Sequence, residues 1–434
     1  MKTAAIIAEY NPFHKGHHYH MVKTRELTGA DYVVVIMSGD YVQRGEPACT
    51  DKYFRARMAL LSGADLVIEL PVIYATASAE FFAAAGVKLL DGLSCIDYLS
   101  FGSEWAGLSD FEPYADILTE EREDYQLLLQ TCLKQGDSFP AARSKAIGKI
   151  LSQEFPGQGP PDRADRFLME PNHILGLEYL KALRRLGSDM VPLVIKREGA
   201  GYHEPGLAKP FPSASGIRKE IARWLAGKNE SEEELYRAIN HSLRSTTGNK
   251  PADKSEDLLD YISRGEYVVW DDLMPLLDYE ILMGYKWREK PSTELLARIA
   301  NHYRPGVSFD EVIEQLHSRN WTDTALKREL LHILLQFDRE DIGIYQKDHV
   351  ISVPYARVLG FRRSAAPLMK ELREHSRIPL IQRPIEGLKL LKDDKQARAV
   401  YEADLRAAAL YEQVAARKSK REAVSEFKRQ QIIL

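Results

Sequence analysis

Thr3-Ala-Ala-Ile-Ile-Ala-Glu-Tyr-Asn-Pro-Phe-His-Lys-Gly-His-His18 is the stretch that decides the fold. Ala4–Ala8 is short, apolar and reads as a buried strand. Glu9–Phe13 reads as a loop, and a helix pattern starts at about His17. The same succession then recurs. Tyr32–Met37 is a β-branched run closed by Ser38-Gly39-Asp40, and Asp51–Gly63 has helical periodicity. Asp65–Leu70 is a third strand stopped by Pro71, and Ala75–Leu90 is an alanine-rich helix. Tyr98–Phe101 ends at Gly102-Ser103-Glu104, and a fifth strand, Met190–Ile195, follows the helix Asn172–Leu186. Such alternation implies βαβ crossovers, hence an α/β, Rossmann-like parallel sheet covered on both faces. Ligands of these sheets bind beyond the carboxyl ends of the strands, so chemistry is expected in the loops after the first, second and fourth strands.

The segment around Leu108–Leu151 reads as a helical insertion, near 108–160, with Gly157–Asp162 as a Gly- and Pro-rich loop. After about Lys228 strand signals thin out, and amphipathic helix dominates apart from a short run at Val350–Val353. The expected division is a catalytic domain over 1–228 and a helical region over 229–434. A chain of 434 residues is too long for one ordinary core, which agrees. Lys plus Arg is 59 against 63 for Asp plus Glu, a net charge of −4. That balance leaves nucleic acid open, since binding needs a local basic face. The three cysteines, Cys49, Cys95 and Cys132, lie far apart, which argues against a disulfide framework or a cysteine-rich zinc site. Reduced thiols, no secretory pattern ahead of the first strand and no membrane-length apolar run lead to the expectation of a cytoplasmic protein.

His14-Lys-Gly-His17 falls between the first strand and the first helix, and each part has a use there. Gly16 lets backbone approach a phosphate, and the helix N-terminus offers free N–H groups and a positive dipole end. His14 and His17, three apart, can face one ligand and stabilise charge on a pentavalent phosphorus and a departing pyrophosphate. His18 and His20 also permit a metal site, but the strand-to-helix placement favours phosphate. Ser213-Ala-Ser-Gly-Ile-Arg218 opens another helix. Ser213 or Ser215 suits its N-cap, and Arg218 sits in its first turns, pointing toward an anion.

This pair of elements resembles the class I nucleotidyltransferase superfamily, in which both hold the triphosphate of ATP. By that resemblance His14, Gly16, His17, Ser215 and Arg218 take those roles, with His14, His17, Ser215 and Arg218 catalytic. More of the chain is similar to the bacterial tRNA(Met) cytidine acetate ligases. The matching stretches are Ile7–His17, Ser38–Pro47, Glu69-Leu-Pro71, Phe101–Glu104, Pro171-Asn172, Lys196–His203 and Arg357–Phe361. The resemblance implies an enzyme that joins acetate to ATP as acetyl-adenylate. It then passes the acetyl group to the wobble cytidine of elongator tRNA(Met), forming N(4)-acetylcytidine. It places ATP on Ile7, Ala8, Glu9, Tyr10, Asn11, Pro12, Phe13, His14, Lys15, Gly16, His17, His18, Tyr19 and His20, together with Gly102, Asn172 and Arg197. Mg2+ is expected with such chemistry, with Glu104 as a candidate ligand. Acetate and tRNA are the expected partners, without a membrane or a stable protein partner.

Asp40, Gln43, Arg44 and Glu46, in the loop after the second strand, are candidates for placing acetate or cytidine. Arg362, Arg363, Arg373, Arg377, Arg383 and Arg417–Arg421 are candidate phosphate contacts, and Tyr355 and Phe361 candidate stacking platforms. A nucleotidyltransferase that adenylylates a phosphorylated metabolite is the alternative. The long helical extension favours the tRNA reading, because a small metabolite gives it no use. A binding protein that has lost catalysis is disfavoured by the intact His14, His17, Ser215 and Arg218.

Overall fold

The computed structural model describes residues 1–105, 107–120, 122–154, 162–197, 213–225, 258–283, 293–318, 321–337 and 351–434. Five strands, β1 (Thr3–Ala8), β2 (Tyr32–Ser38), β5 (Leu66–Leu70), β6 (Tyr98–Ser103) and β7 (Val191–Lys196), form a parallel array in the order β5-β2-β1-β6-β7. Between β2 and β5 lies a small antiparallel hairpin, β3 (Tyr41–Val42) and β4 (Glu46–Pro47). The helices α1 (Lys15–Thr28), α2 (Lys52–Leu61), α3 (Val72–Ala75) and α4 (Ala79–Leu93) alternate with these strands. The helical insertion follows as α5 (Leu108–Thr119), α6 (Glu123–Lys134), α7 (Phe139–Glu154) and α8 (Asp162–Met169), and α9 (Pro171–Leu186) leads into β7. After β7, α10 (Ala214–Leu225) carries the serine–arginine motif.

Alternate residues of one strand serve two different cores. Val33, Val35 and Met37 of β2 pack with α1 and α2, whereas Val34 and Ile36 pack on the side of α4 and α9. Side chains of a strand point to opposite faces in turn, so an unbroken apolar run is what a doubly covered sheet requires.

Beyond 228 the described residues are mostly helical, yet they supply strands to the same sheet. β8 (Ala356–Phe361) pairs antiparallel with β5, and β9 (Leu380–Ile381) and β10 (Ile432–Ile433) pair with β8. The expected strand at Val350–Val353 is displaced: Ile351–Val353 is not strand, and Val350 lies outside the described residues. Gly157–Pro161, Glu198–His203 and the boundary at 228 also lie outside them. The helix expected over Ala75–Leu90 is broken into α3 and α4, with Ser78 standing at the α4 N-cap. α1 begins before His17, because His14 caps it.

A buried ion network ties the C-terminal stretch to the sheet. Lys52 Nζ lies 2.9 Å from Glu69 and 2.7 Å from Glu426, while Arg357 contacts both carboxylates. Alternating cations and anions are needed here, since a lone charge at this depth is strongly disfavoured.

Arg55 of α2 is fully buried and gathers main-chain carbonyls. Its Nε donates to Thr50 O at 3.0 Å, its Nη1 to Glu9 O at 2.7 Å and Ser38 O at 3.0 Å, and its Nη2 to Gly39 O. Lysine carries the same charge without the fork and reaches fewer of these oxygens. Arg55→Lys is therefore expected to lower unfolding stability by about 3 kcal/mol, read from urea denaturation midpoints; an unchanged midpoint contradicts this role.

Candidate active site

The strand order reverses direction beside β1: β2 and β5 lie on one side of it, β6 and β7 on the other. A crevice opens at the carboxyl ends of strands where an open sheet reverses in this way. A cleft of about 230 Å³ lies there, lined from the ends of β1, β6 and β7, the starts of α1, α9 and α10, and the β3–β4 hairpin.

His14 and His17 cap α1 reciprocally. His14 Nδ1 accepts the Gly16 N–H at 3.0 Å, and His17 Nδ1 accepts the His14 N–H at 3.2 Å. Each backbone amide thereby occupies one ring nitrogen as an acceptor. The proton of each neutral ring must then sit on Nε2, where it is a donor. The two rings stack with centroids 3.7 Å apart, and His17 also packs against Tyr10 at 4.7 Å. A Cβ at position 16 would lie 2.9 Å from the His14 ring, so glycine is what lets the ring fold over the helix start.

Burial, helped by the nearby Arg197 and Arg218, pushes His14 down to about 3. Burial also lowers His17 well below the ordinary imidazole value, with His14, Arg197 and His20 adding to it. His20, bonded through Nε2 to Ser100 Oγ at 2.9 Å, is pushed down to about 4 by burial and Arg197. The three imidazoles are neutral at neutral pH, and the positive charge of the cleft resides on guanidinium and ammonium groups.

α10 is set by its apolar side. Ile217 and Ile221, one turn apart, bury against Cys49, Leu258, Ile262 and Tyr267. Ser213 Oγ caps the helix at Gly216 N, 3.1 Å away, and lies 3.1 Å from Ser215 Oγ. Arg218 Nη1 donates to Asn11 O at 2.6 Å, and its Nη2 lies 3.8 Å from Glu46. The two motifs, some 200 residues apart, thus meet across one cleft.

Of the expected ATP residues, Ile7, Ala8, Glu9, Tyr10, Asn11, His14, Gly16, His17, Tyr19, His20, Gly102, Asn172 and Arg197 line the cleft, as do Ser215 and Arg218. Pro12, Phe13, Lys15 and His18 do not. Phe13 is buried in the core beneath α1, and His18 Nδ1 turns away to Ser62 O at 2.9 Å. The stem of Arg197 lies over Gly102, where a Cβ would come within 3.3 Å of it. Asn172 Nδ2 donates to Glu104, so that carboxylate is held inside the protein.

Gln43 and Arg44 reach the cleft, whereas Asp40 is buried beneath it and accepts the Lys52 N–H at 2.8 Å. Lys196 at the end of β7 also lines the cleft, as do Phe82, Leu175 and Tyr179 from helices, which the motifs do not include. A helix periodicity marks such side chains as core, and only the topology reveals that the core opens there.

Tyr355 is fully buried with its hydroxyl donating to Asp404 at 2.6 Å, which removes it as a stacking platform. Phe361 is half-buried against the main core. Several expected phosphate contacts are engaged within the chain: Arg362 with Leu60 O, Arg377 with Asp91, Lys418 with Asp272 and Arg421 with Glu412. The helical region reaches the site through the hairpin instead. Trp270 Nε1 donates to Gly45 O at 2.8 Å, and Lys327 pairs with Glu46 at 2.9 Å. Gly45 has φ +70°, and a Cβ there would lie 2.4 Å from the Arg328 backbone nitrogen. The helix Asp323–Leu334 thus presses directly on the turn that delivers Gln43 and Arg44.

The depressed histidines couple stability to acid. Unfolded imidazole takes a proton near pH 6.5, while folded His14 refuses it down to about pH 3, so its contribution is present above 6.5 and lost as pH falls. Asp40, pushed up to about 7 by burial, works in the opposite direction over this range. The difference between variants isolates the histidine. Between pH 7 and 5, His14→Gln is expected to lose about 2 kcal/mol less stability than wild type, measured by chemical denaturation at both pH values.

A family model described as HIGH Nucleotidyl Transferase matches residues 1–426. A tRNA(Met) cytidine acetate ligase of Thermoanaerobacter sp. (strain X514) is 34% identical over 415 residues, 95% of each chain. One from Halothermothrix orenii is 36% identical over 88% of this chain and 87% of its own. Among solved structures, apo Thermotoga maritima TmcAL aligns over 100% of both chains with a TM-score of 0.88 at 29% identity. The form bound with alpha-thio ATP does so with a TM-score of 0.84 at 28% identity. With the family model matched over residues 1–426 and curated relatives 34–36% identical over most of both chains, the chain belongs to the HIGH nucleotidyl transferase family and, within it, to the tRNA(Met) cytidine acetate ligases.

Proposed function

We infer that the protein is an ATP-dependent ligase that activates acetate as acetyl-adenylate and transfers the acetyl group to the wobble cytidine of elongator tRNA(Met). The observation that carries the first half is the pair of Nε2–H donors on neutral His14 and His17, held by backbone amides beside Arg197 and Arg218. An acetate oxygen attacks the α-phosphorus and pyrophosphate departs. Charge that builds on the phosphate oxygens meets donors already aimed and needing no reorganisation. In this reading ATP also lies along Ile7–Asn11, Tyr19, His20, Gly102 and Asn172, and Ser215 and Arg218 close over the phosphates. The kinship to an enzyme solved with alpha-thio ATP supports this use of the cleft.

The amine of cytidine is a weak nucleophile because its lone pair is delocalised into the ring. An acyl phosphate is activated enough to react with it directly, provided the base leaves its stack and enters the cleft. The helical region over 229–434, which touches the site through the β3–β4 hairpin, is assigned to holding the tRNA. Magnesium accompanies ATP in this reading. Among the described residues no three His, Cys, Asp or Glu side chains converge on one point, and no step is routed through the ion. Among the described residues no helix is long and apolar enough to cross a membrane, and the cytoplasm, where tRNA is found, is the proposed location.

Purified protein given ATP, labelled acetate and bulk bacterial tRNA is expected to place label in N(4)-acetylcytidine. His17→Ala is expected to lower the rate about 100-fold or more by removing one aimed donor. Pyrophosphate release driven by a phosphorylated metabolite, with no label in tRNA, would instead favour a plain nucleotidyltransferase.

A further inference from the structure

Glu9 is the one acidic side chain among the described residues that line the cleft. Its charged neighbours there are Arg44, Lys196, Arg197 and Arg218. A carboxylate in a pocket that receives a polyanion works against that binding, so it calls for a use of its own.

The first half-reaction gives a proton acceptor nothing to do. Acetate arrives as a carboxylate and pyrophosphate leaves as an anion, so no proton has to be removed. The second half-reaction does require it. A bond forms between the cytidine N4 and the acetyl carbon, the bond from that carbon to the AMP oxygen breaks with its electron pair on the phosphate, and N4 must shed one proton.

We propose that Glu9 accepts this proton: the exocyclic amine donates a hydrogen bond to its carboxylate on entering the cleft, and the carboxylate takes the N4 proton as the amide forms. The inference rests on the acetyl acceptor assigned above. Geometry supports it. Oε1 accepts the Gln43 N–H at 3.0 Å, which anchors one oxygen of the carboxylate, and Oε2 has no hydrogen-bond partner among the described residues. Glu9 directly follows β1 on the loop that leads to His14, and it lines the same cleft as His14 and His17. Carboxylates are also the side chains that accept from the N4 amine of cytosine in base recognition. Arg44 and Arg218 face Glu9 and favour its ionised form, Glu46 opposes it, and Tyr179 lies close by. Burial outweighs the two cations and holds the carboxyl above its ordinary range, toward the pH at which a base is most effective.

Glu9→Gln separates this role from that of a brace, because the amide oxygen still accepts from Gln43. Two rates are read on full-length protein: acetate-dependent ATP–pyrophosphate exchange, and single-turnover transfer of labelled acetyl to bulk bacterial tRNA. The expected result is a loss of transfer about 100-fold greater than any loss of exchange, with the rise of the wild-type transfer rate with pH absent from the variant. Equal losses in both rates would overturn the proposal and give Glu9 to ATP. Undiminished transfer would overturn it and leave Glu9 a brace for the hairpin. Wild-type protein that exchanges pyrophosphate yet labels no tRNA would remove the acceptor itself, and this inference with it.

Discussion

Four carbonyl oxygens converge on one guanidinium, that of Arg55, and the arrangement of the cleft follows from that convergence. Where β1 and β2 end, their chains leave the ladder and their carbonyls lose strand partners. Buried main-chain oxygens without partners are strongly disfavoured, and a single side chain from α2 satisfies those of Glu9, Ser38 and Gly39 together. The loop into α1 and the entry to the hairpin are thereby held at one point. Arg218 does the same from the opposite wall, donating to Asn11 O. Two arginines, one beneath the cleft and one beside it, define the path between β1 and His14.

The cleft divides its electrostatic labour. Guanidinium and ammonium groups supply net charge, while the imidazoles supply direction without charge. Stacking at 3.7 Å allows this only for neutral rings, since two imidazolium ions at that separation repel strongly. Burial enforces the neutral form and backbone amides select the tautomer. A group that is charged can be attracted to a phosphate from anywhere nearby. A neutral N–H must be aimed, and the reciprocal capping of α1 fixes the orientation of both rings.

Much of this was legible in the residues. The inner parallel strands β1, β2, β5 and β6 announce themselves as apolar runs, because both faces of each are largely covered, while the edge strand β7 is partly exposed, and the two candidate phosphate motifs stand at helix starts where their spacing has meaning. What stayed hidden depends on long-range partners. Ala356–Phe361 is strand because β5 offers it an edge, and nothing local signals that. Tyr355 reads as an exposed aromatic beside basic residues until Asp404, from a helix far along the chain, takes its hydroxyl. Basic side chains such as Arg377 and Arg421 read as phosphate contacts until their acidic partners are seen. Pro12, Phe13, Lys15 and His18 belong to the motif by letter, but helical geometry turns His18 away and Phe13 serves the core.

The antiparallel strand beside β5 has a consequence for synthesis. β5 is complete once residue 70 is made, and its outer edge is covered only when β8 (Ala356–Phe361) appears. At cellular elongation speeds that interval lasts roughly 15–60 s. Throughout it a nascent chain carries an open edge of Leu66, Val67, Ile68 and Glu69, the kind of surface that pairs with other chains. Polysomes translating this message therefore hold several such edges near one another, and reaching the native state depends on shielding them until β8, near the start of the last fifth of the chain, arrives.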